Sequence, residues 1–508
     1  MALRSVVVAS LVGVAACGGG SPAAPDAAID GSVDAAVAVP LDAPSDPFPL
    51  GQNQFLKASN VVGFGLFGES IALSADGLTL AVGADAEASA STGINGNQFG
   101  GGATESGAVY VFVRSSSADP WVQQAYIKAS NTHGMDRFGF DVALSSDGMT
   151  LAVGAYNEFS DATGVGGDQT DHSAGGAGAV YVFTRAGTTW TQQAYLKASN
   201  TETGDEFGYA VALDSDGSTL AVGAFQEASG SGGIGADQSD NTAPVAGAVY
   251  VFTRAGVMWA QQAYVKASNP AAYDCFGISV ALSSDGNLLA VGAEGEVNGA
   301  PHPQMGAGAV YMFSRTSATW AQQAYLIIDS PDPRAALGAS VGLSSDGSEL
   351  VAGAPGAHAT MDAAEPTSGA AYVFTRAGTT WTKQAEVVPS NAGGEFGTRV
   401  AVSADGKRLV VSAPGERSDA VGLDGVQIDE TDPSAGAAYA FSGFGPTWVQ
   451  RHYIKAFNTG PADGFGMGLA ISGDGATVAI GAIDEASDAA NDPASNLYVG
   501  AGAAYSFQ

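Results

Sequence analysis

The sequence predicts an all-β fold, a seven-bladed β-propeller of four-stranded antiparallel blades whose last blade is closed by the N-terminal strand. Three observations predict it. A unit of about 60 to 70 residues recurs seven times, an Asp-Gly pair stands at one fixed place in every unit, and no sustained 3.6-residue apolar period follows the first residues. The copy at residues 138–200 shows the unit plainly: FGFDVALSSDGMTLAVGA, then a polar loop, then GAVYVFTRAGTTWTQQAYLKASN. Its opening aromatic recurs as Phe67, Phe138, Phe207, Phe276, Phe396 and Phe465, with Leu337 in the fifth copy. The Asp of the Asp-Gly pair recurs as Asp76, Asp147, Asp216, Asp285, Asp346, Asp405 and Asp474.

Each unit supplies four strands in order. The first two are apolar runs around the Asp-Gly pair, where glycine gives the positive φ of a tight hairpin. The third, GAVYVF, is apolar at successive positions, as a strand buried on both faces must be. The fourth begins with Trp121, Trp190, Trp259, Trp320, Trp381 or Trp448 and is more polar, which places it at the outer edge. The seventh unit shows three strands, ending in GAAYSFQ, while residues 54–60, QFLKASN, match the fourth strand of copy two. A segment from the N-terminal side can therefore complete the last blade, which removes the unpaired edges of an open array. The whole span 51–508 is expected to be one domain.

The first residues, MALRSVVVASLVGVAACGGG, carry one basic side chain, Arg4, and an apolar run too short to cross a bilayer as a helix. The step Val14-Ala15-Ala16-Cys17 resembles a bacterial lipobox. The resemblance implies a lipoprotein signal peptide at 1–16 and lipidation of Cys17, followed over residues 17–50 by a disordered tether rich in Ala, Pro and Asp. The expected location is the bacterial cell envelope, lipid-anchored at the outer membrane or cell surface. With only Cys17 and Cys275 in the sequence, stability has to come from packing. The net charge of −32 repels phosphate backbones, which argues against nucleic acid as a partner.

The Phe-Gly that opens each unit and the Gly-Ala that ends its second strand resemble the FG-GAP repeat of integrin α-subunit propellers. Gly353-Ala354-Pro355 supplies the full Gly-Ala-Pro, and Ser412-Ala413-Pro414 a variant. The resemblance implies extracellular recognition or adhesion and a binding protein, not an enzyme. Family propellers hold calcium in loops rich in Asp and Asn between the first two strands. Here that connection is Ser-Ser-Asp-Gly or a near variant, one carboxylate where calcium takes six to eight oxygens, so the family calcium loop is not carried over. No cofactor is assigned, and a divalent cation elsewhere stays open.

Two short motifs are read as structural. Gly63 to Gly68 matches GxGxxG but precedes no helix, and Gly338 to Gly342 matches GxSxG but lies inside a first strand. The histidines at 133, 172, 302, 358 and 452 fall in different units without a zinc-ligand spacing. No catalytic residue is assigned.

The polar loops between second and third strands repeat a pattern. Glu158, Asp168 and Asp171 in copy two stand at the same offsets as Glu227, Asp237 and Asp240 in copy three, and copy six retains Glu416 and Asp429. An oxygen-rich cation or glycan site would use these residues, on the face shared with Asp136, Asp205, Asp274 and Asp463. Against it stands the reading that such side chains satisfy their own loop backbone. The expected function is a monomeric, membrane-tethered recognition or adhesion scaffold for an extracellular protein, glycan or matrix ligand. The alternatives are a polysaccharide-active enzyme with an axial site, marked by inward carboxylates, Arg and aromatics, and a ligand-free structural envelope lipoprotein.

Overall fold

The computed structural model describes residues 48, 50–297, 306–328, 334–358, 368–391, 394–427, 432–487 and 497–508. The signal peptide, Cys17, the tether to residue 47, His302 and Asp429 lie outside the described residues. Within them the chain forms seven sheets of four antiparallel strands. In the second blade these are Val142–Leu144, Thr150–Ala155, Ala179–Ala186 and Thr189–Leu196, running from axis to rim. Second and third strands are buried almost throughout, because each is covered on both faces by neighbouring blades.

The Phe-Gly and Gly-Ala pairs are where adjacent blades meet. Phe138 is fully buried among Val109 and Val111 of the first blade and Tyr181 and Phe183 of its own. Its ring meets that of Tyr181 edge-on, with centroids 5.3 Å apart. Gly139, at φ +91°, leaves no room for a side chain against the Ala108 carbonyl, and a Cβ on Gly83 would collide with the carbonyl of Gly139 itself. The two glycines thus let neighbouring backbones touch, and the same pairing recurs between Gly154 and Gly208 and, across the closure, between Gly481 and Gly68.

The ring is closed twice over. Strand Gln52–Leu56 pairs antiparallel with Ala503–Phe507 and completes the seventh sheet, as the repeat phase predicts. At the first hairpins, each blade donates one backbone N–H to the next. Ala75 donates to Ser146, Ser146 to Ser215, Ser215 to Ser284, Ser284 to Ser345, Ser345 to Ala404, Ala404 to Gly473, and Gly473 back to Ala75, at 2.9 to 3.1 Å. Within each hairpin the Asp acts locally. Asp147 accepts from the Met149 N–H at 2.9 Å and the Ser145 hydroxyl at 2.6 Å, which makes it a turn former.

Candidate functional site at the propeller axis

Antiparallel connectivity sends the Asp-Gly hairpins to one face of the ring. The connections from second to third strands, and from fourth strands to the next first strands, go to the other. The carboxylates singled out in the sequence lie on that second face, but the structure divides them. Glu158 and Glu227 are each 1% exposed and Glu416 is 2% exposed. Glu158 accepts from Lys197 Nζ at 2.9 Å, Asn131 Nδ2 at 3.0 Å, the Tyr195 hydroxyl at 3.0 Å and the Ser160 N–H at 3.1 Å. Lys266 and Lys455 hold Glu227 and Glu416 in the same way, at 2.7 and 2.8 Å. A carboxylate with this many protein donors has little acceptor capacity left for a ligand.

These glutamates are blade-to-blade stitches. The Lys comes from the fourth strand of the same blade and the Asn from the end of the preceding one, so each Lys-Ala-Ser-Asn segment serves two blades. Glu87 with Lys128 and Asn60, and Glu485 with Lys57 and Asn458, complete the set. At the closure, QFLKASN sends Lys57 to the last blade and Asn60 to the first. The fourth and fifth blades depart from the pattern: Glu296 keeps Asn269, but Ile327 stands in the Lys position, and the fifth blade has Ala357 and Val388.

The loop aspartates, exposed at Asp168 and Asp237 and half-buried at Asp171 and Asp240, bind their own turns. Asp168 accepts from the N–H and hydroxyl of Thr170, which hold its carboxyl below the usual range, and Asp237 is held likewise by Ser239. Asp171 accepts from the Asp161 N–H and the Ser173 hydroxyl, and Asp240 from the hydroxyls of Ser231 and Thr242. Asp136, Asp205, Asp274 and Asp463 are buried and cap turn N–H groups of His133, Glu202, Ala271 and Gly460. Among the described residues, the structure therefore does not bring the predicted glutamates and aspartates together around a common point. Among the described residues, no group of three or more His, Cys, Asp or Glu is arranged to hold a metal ion.

Convergence occurs at the axis instead. A cavity of about 160 Å³ is lined by first-strand residues from all seven blades. The position after each Phe-Gly, or Leu-Gly in the fifth copy, is occupied in turn by Glu69, Phe140, Tyr209, Ile278, Ala339, Thr398 and Met467: seven copies, seven residue types. Directly after the second-strand Gly-Ala, or Ser-Ala in copy six, stand Asp85, Tyr156, Phe225, Glu294, Pro355, Pro414 and Ile483. Nothing in the repeat's own packing asks for this diversity.

The chemistry at the mouth is unbalanced. Glu69 is 1% exposed, and neither carboxylate oxygen has a hydrogen-bond partner among the described residues. Burial, reinforced by Asp85, pushes its pKa up to about 8. Glu294 is also buried without a partner for either oxygen, and burial lifts it to about 7. Asp85 meets Arg137 at 3.2 Å but is still lifted by burial to about 6. Asp141, which accepts from the Val211 and Val142 N–H groups, is likewise lifted to about 6. Arg399 donates its Nε to the Met467 carbonyl at 3.1 Å. Aromatic rings wall one side: Phe140 to Tyr156 at 4.6 Å, Phe140 to Tyr209 at 4.7 Å, and Tyr209 to Phe225 at 4.4 Å.

The fold is a seven-bladed β-propeller, an architecture that fits a scaffold or recognition role. The family model described as "FG-GAP repeat" matches residues 121–183, 190–252 and 259–313, so the chain carries FG-GAP repeats at three positions. No curated protein matches. Among solved structures, a putative 6-phosphogluconolactonase from Bacteroides uniformis ATCC 8492 is similar at 11% identity and TM-score 0.46, covering 77% of this chain and 85% of that one. A mitotic checkpoint complex chain is similar at 14% identity and TM-score 0.46, covering 94% and 98%. Hydrazine synthase of Kuenenia stuttgartiensis is similar at 12% identity and TM-score 0.47, covering 84% and 94%.

Proposed function

We propose that this chain is a membrane-tethered, extracytoplasmic recognition or adhesion propeller that takes its ligand at the axial mouth of its long-loop face. One observation carries the reading. Glu69, buried and without a partner for either carboxylate oxygen, stands at a position where the seven copies all differ. A buried unpaired polar group costs stability, about 1–3 kcal/mol, and persists where function uses it. The anchor is lipidated Cys17, supported by the step Val14-Ala15-Ala16-Cys17, and the tether ends before Phe48, earlier than the expected residue 50, because Phe48 and Leu50 are buried in the core of the closing blade. The ligand is an extracellular protein, glycan or matrix component.

A thermal-shift screen of the full chain against a glycan panel and extracellular proteins tests the reading. A ligand that raises Tm in the wild type, loses its effect in Tyr209→Ala and keeps it in Asp168→Ala is expected. A shift lost in Asp168→Ala and kept in Tyr209→Ala moves the site to the loops, and no shift with any ligand leaves a structural envelope role. For the anchor, Cys17→Ser is expected to release the protein from membrane fractions.

A second reading, a polysaccharide-active enzyme at the same mouth, is favoured by the spread of carboxyl pKa values there. Near neutral pH Glu69, at about 8, keeps its proton while Asp141, at about 6, has lost it, the condition for separate acid and base roles. Turnover of a polysaccharide that disappears in Glu69→Gln would replace the binding reading with this one.

A further inference from the structure

The axial cavity holds an acidic and a basic side chain that do not meet. Glu69, from the first blade, offers two carboxylate oxygens without partners. Arg399, from the sixth blade, lines the same cavity, and among the described residues the one hydrogen bond of its guanidinium is from Nε to the Met467 carbonyl, which leaves the Nη fork open. The two groups attract each other electrostatically, yet no ion pair forms between them. Asp141 in the same wall is occupied by two backbone N–H groups, and Ser70 and Ser279 by the carbonyls of Gly139 and Gly338. Among the charged groups of the lining, the unspent capacity is thus one acceptor pair and one donor fork, beside the rings of Phe140 and Tyr209.

Resting on the axial reading, we propose that the group recognised there is a small zwitterion. Its ammonium meets Glu69 and its carboxylate meets the Nη fork of Arg399. A bare cation would face the guanidinium and a bare anion the carboxylates, whereas a bridging zwitterion pairs each charge with its opposite and forms a bidentate contact at Arg399. A cavity of about 160 Å³ admits a compact group of this kind and excludes a bulky one. The aromatic wall covers the carbon skeleton between the two charges. The groups that face Glu69 electrostatically are Asp85, Arg399, Arg137 and Asp484. An arriving ammonium favours the ionised form of Glu69, so binding near neutral pH releases protons.

The source of the group is either a free small molecule or a larger ligand that displays it, and the two are separable. Isothermal titration of the full-length protein with glycine, β-alanine and γ-aminobutyrate, with ethylamine and propionate as singly charged controls, is run in two buffers of different ionisation enthalpy. A dextran carrying lysine attached through its side-chain nitrogen, so that the α-ammonium and α-carboxylate stay free, provides the displayed arm. At least one zwitterion is expected to bind at least tenfold more tightly than either control, with proton release, and to lose at least tenfold in each of Glu69→Gln and Arg399→Gln. Thermal melting of both variants confirms that they fold. Binding of the free arm alone identifies a small-molecule ligand, and binding of the dextran identifies a displayed one. Ethylamine binding as tightly as the zwitterions, or zwitterion affinity unchanged in both variants, overturns the proposal. If no zwitterion binds but another ligand is lost in Tyr209→Ala, the axial reading stands and the zwitterion falls. If every ligand found survives Tyr209→Ala, the axial reading falls with it.

Discussion

Glu158 and Glu69 are both buried carboxylates near the same face of one ring, and they have opposite surroundings. Glu158 sits between blades with a lysine, an asparagine, a tyrosine and a backbone N–H around it. Glu69 sits at the axis with no hydrogen-bond partner among the described residues. The first belongs to a pattern that five blades share; the second occupies a position no two blades share. Burial alone therefore does not mark a site in a repeat protein. A satisfied buried charge fixes how one blade meets the next, and an unsatisfied one is stability given up at a particular place.

The stitches are most severely tested at the closure. Deleting residues 51–60 removes a whole strand, the Lys57–Glu485 ion pair and the Asn60–Glu87 hydrogen bond. Calorimetry should show one cooperative transition at a markedly lower Tm, a loss exceeding the roughly 3–5 kcal/mol of a single broken buried pair. Unchanged melting would break the comparison, since the closing strand would then contribute nothing.

A smaller effect is expected from Lys266→Met, which leaves Glu227 buried and unpaired. Denaturant unfolding should register a loss of about 3–5 kcal/mol, largely recovered in the double variant Glu227→Leu/Lys266→Met. A single variant as stable as the wild type would mean the stitch is no stronger than a surface pair.

At the axis the sign reverses. Because the folded-state pKa of Glu69, about 8, lies above its ordinary 4.5, the folded protein binds more protons than the unfolded chain between those values. This group's contribution is therefore lost as pH rises from about 5 to 8. Glu69→Gln should be at least as stable as the wild type at pH 8, by a gain of up to about 1–3 kcal/mol, and should flatten part of the fall in Tm over that window. Asp136, lifted by burial to about 8, acts in the same direction and keeps a residual slope in the variant. Destabilisation by Glu69→Gln at pH 8 would make Glu69 a structural group like Glu158.

Much of the fold was legible because the repeat spells it seven times. Phe-Gly and Gly-Ala recur because two backbones press together at those glycines, and QFLKASN could be assigned to the last blade by its likeness to copy two. The candidate site was read differently in the sequence. Equal offsets from Glu158 to Asp168 and from Glu227 to Asp237 suggested one cluster, but the loop turns so that the glutamate goes inward to a lysine and the aspartate outward to its own Thr or Ser. The axial residues had a signal of their own, the positions where otherwise matching copies disagree, as at Glu69, Phe140 and Tyr209. A comparison that seeks matches passes over them.

By itself the sequence determined the blade count, the strand order within a blade and the circular closure, since these follow from local apolar patterning and turn chemistry repeated along the chain. Only the tertiary structure decided which charges are paired and which are not. Lys57 and Glu485, or Glu69 and Arg399, are separated by hundreds of residues, and it is the closing of the ring that places the first two in contact and leaves the other two in one cavity without an ion pair.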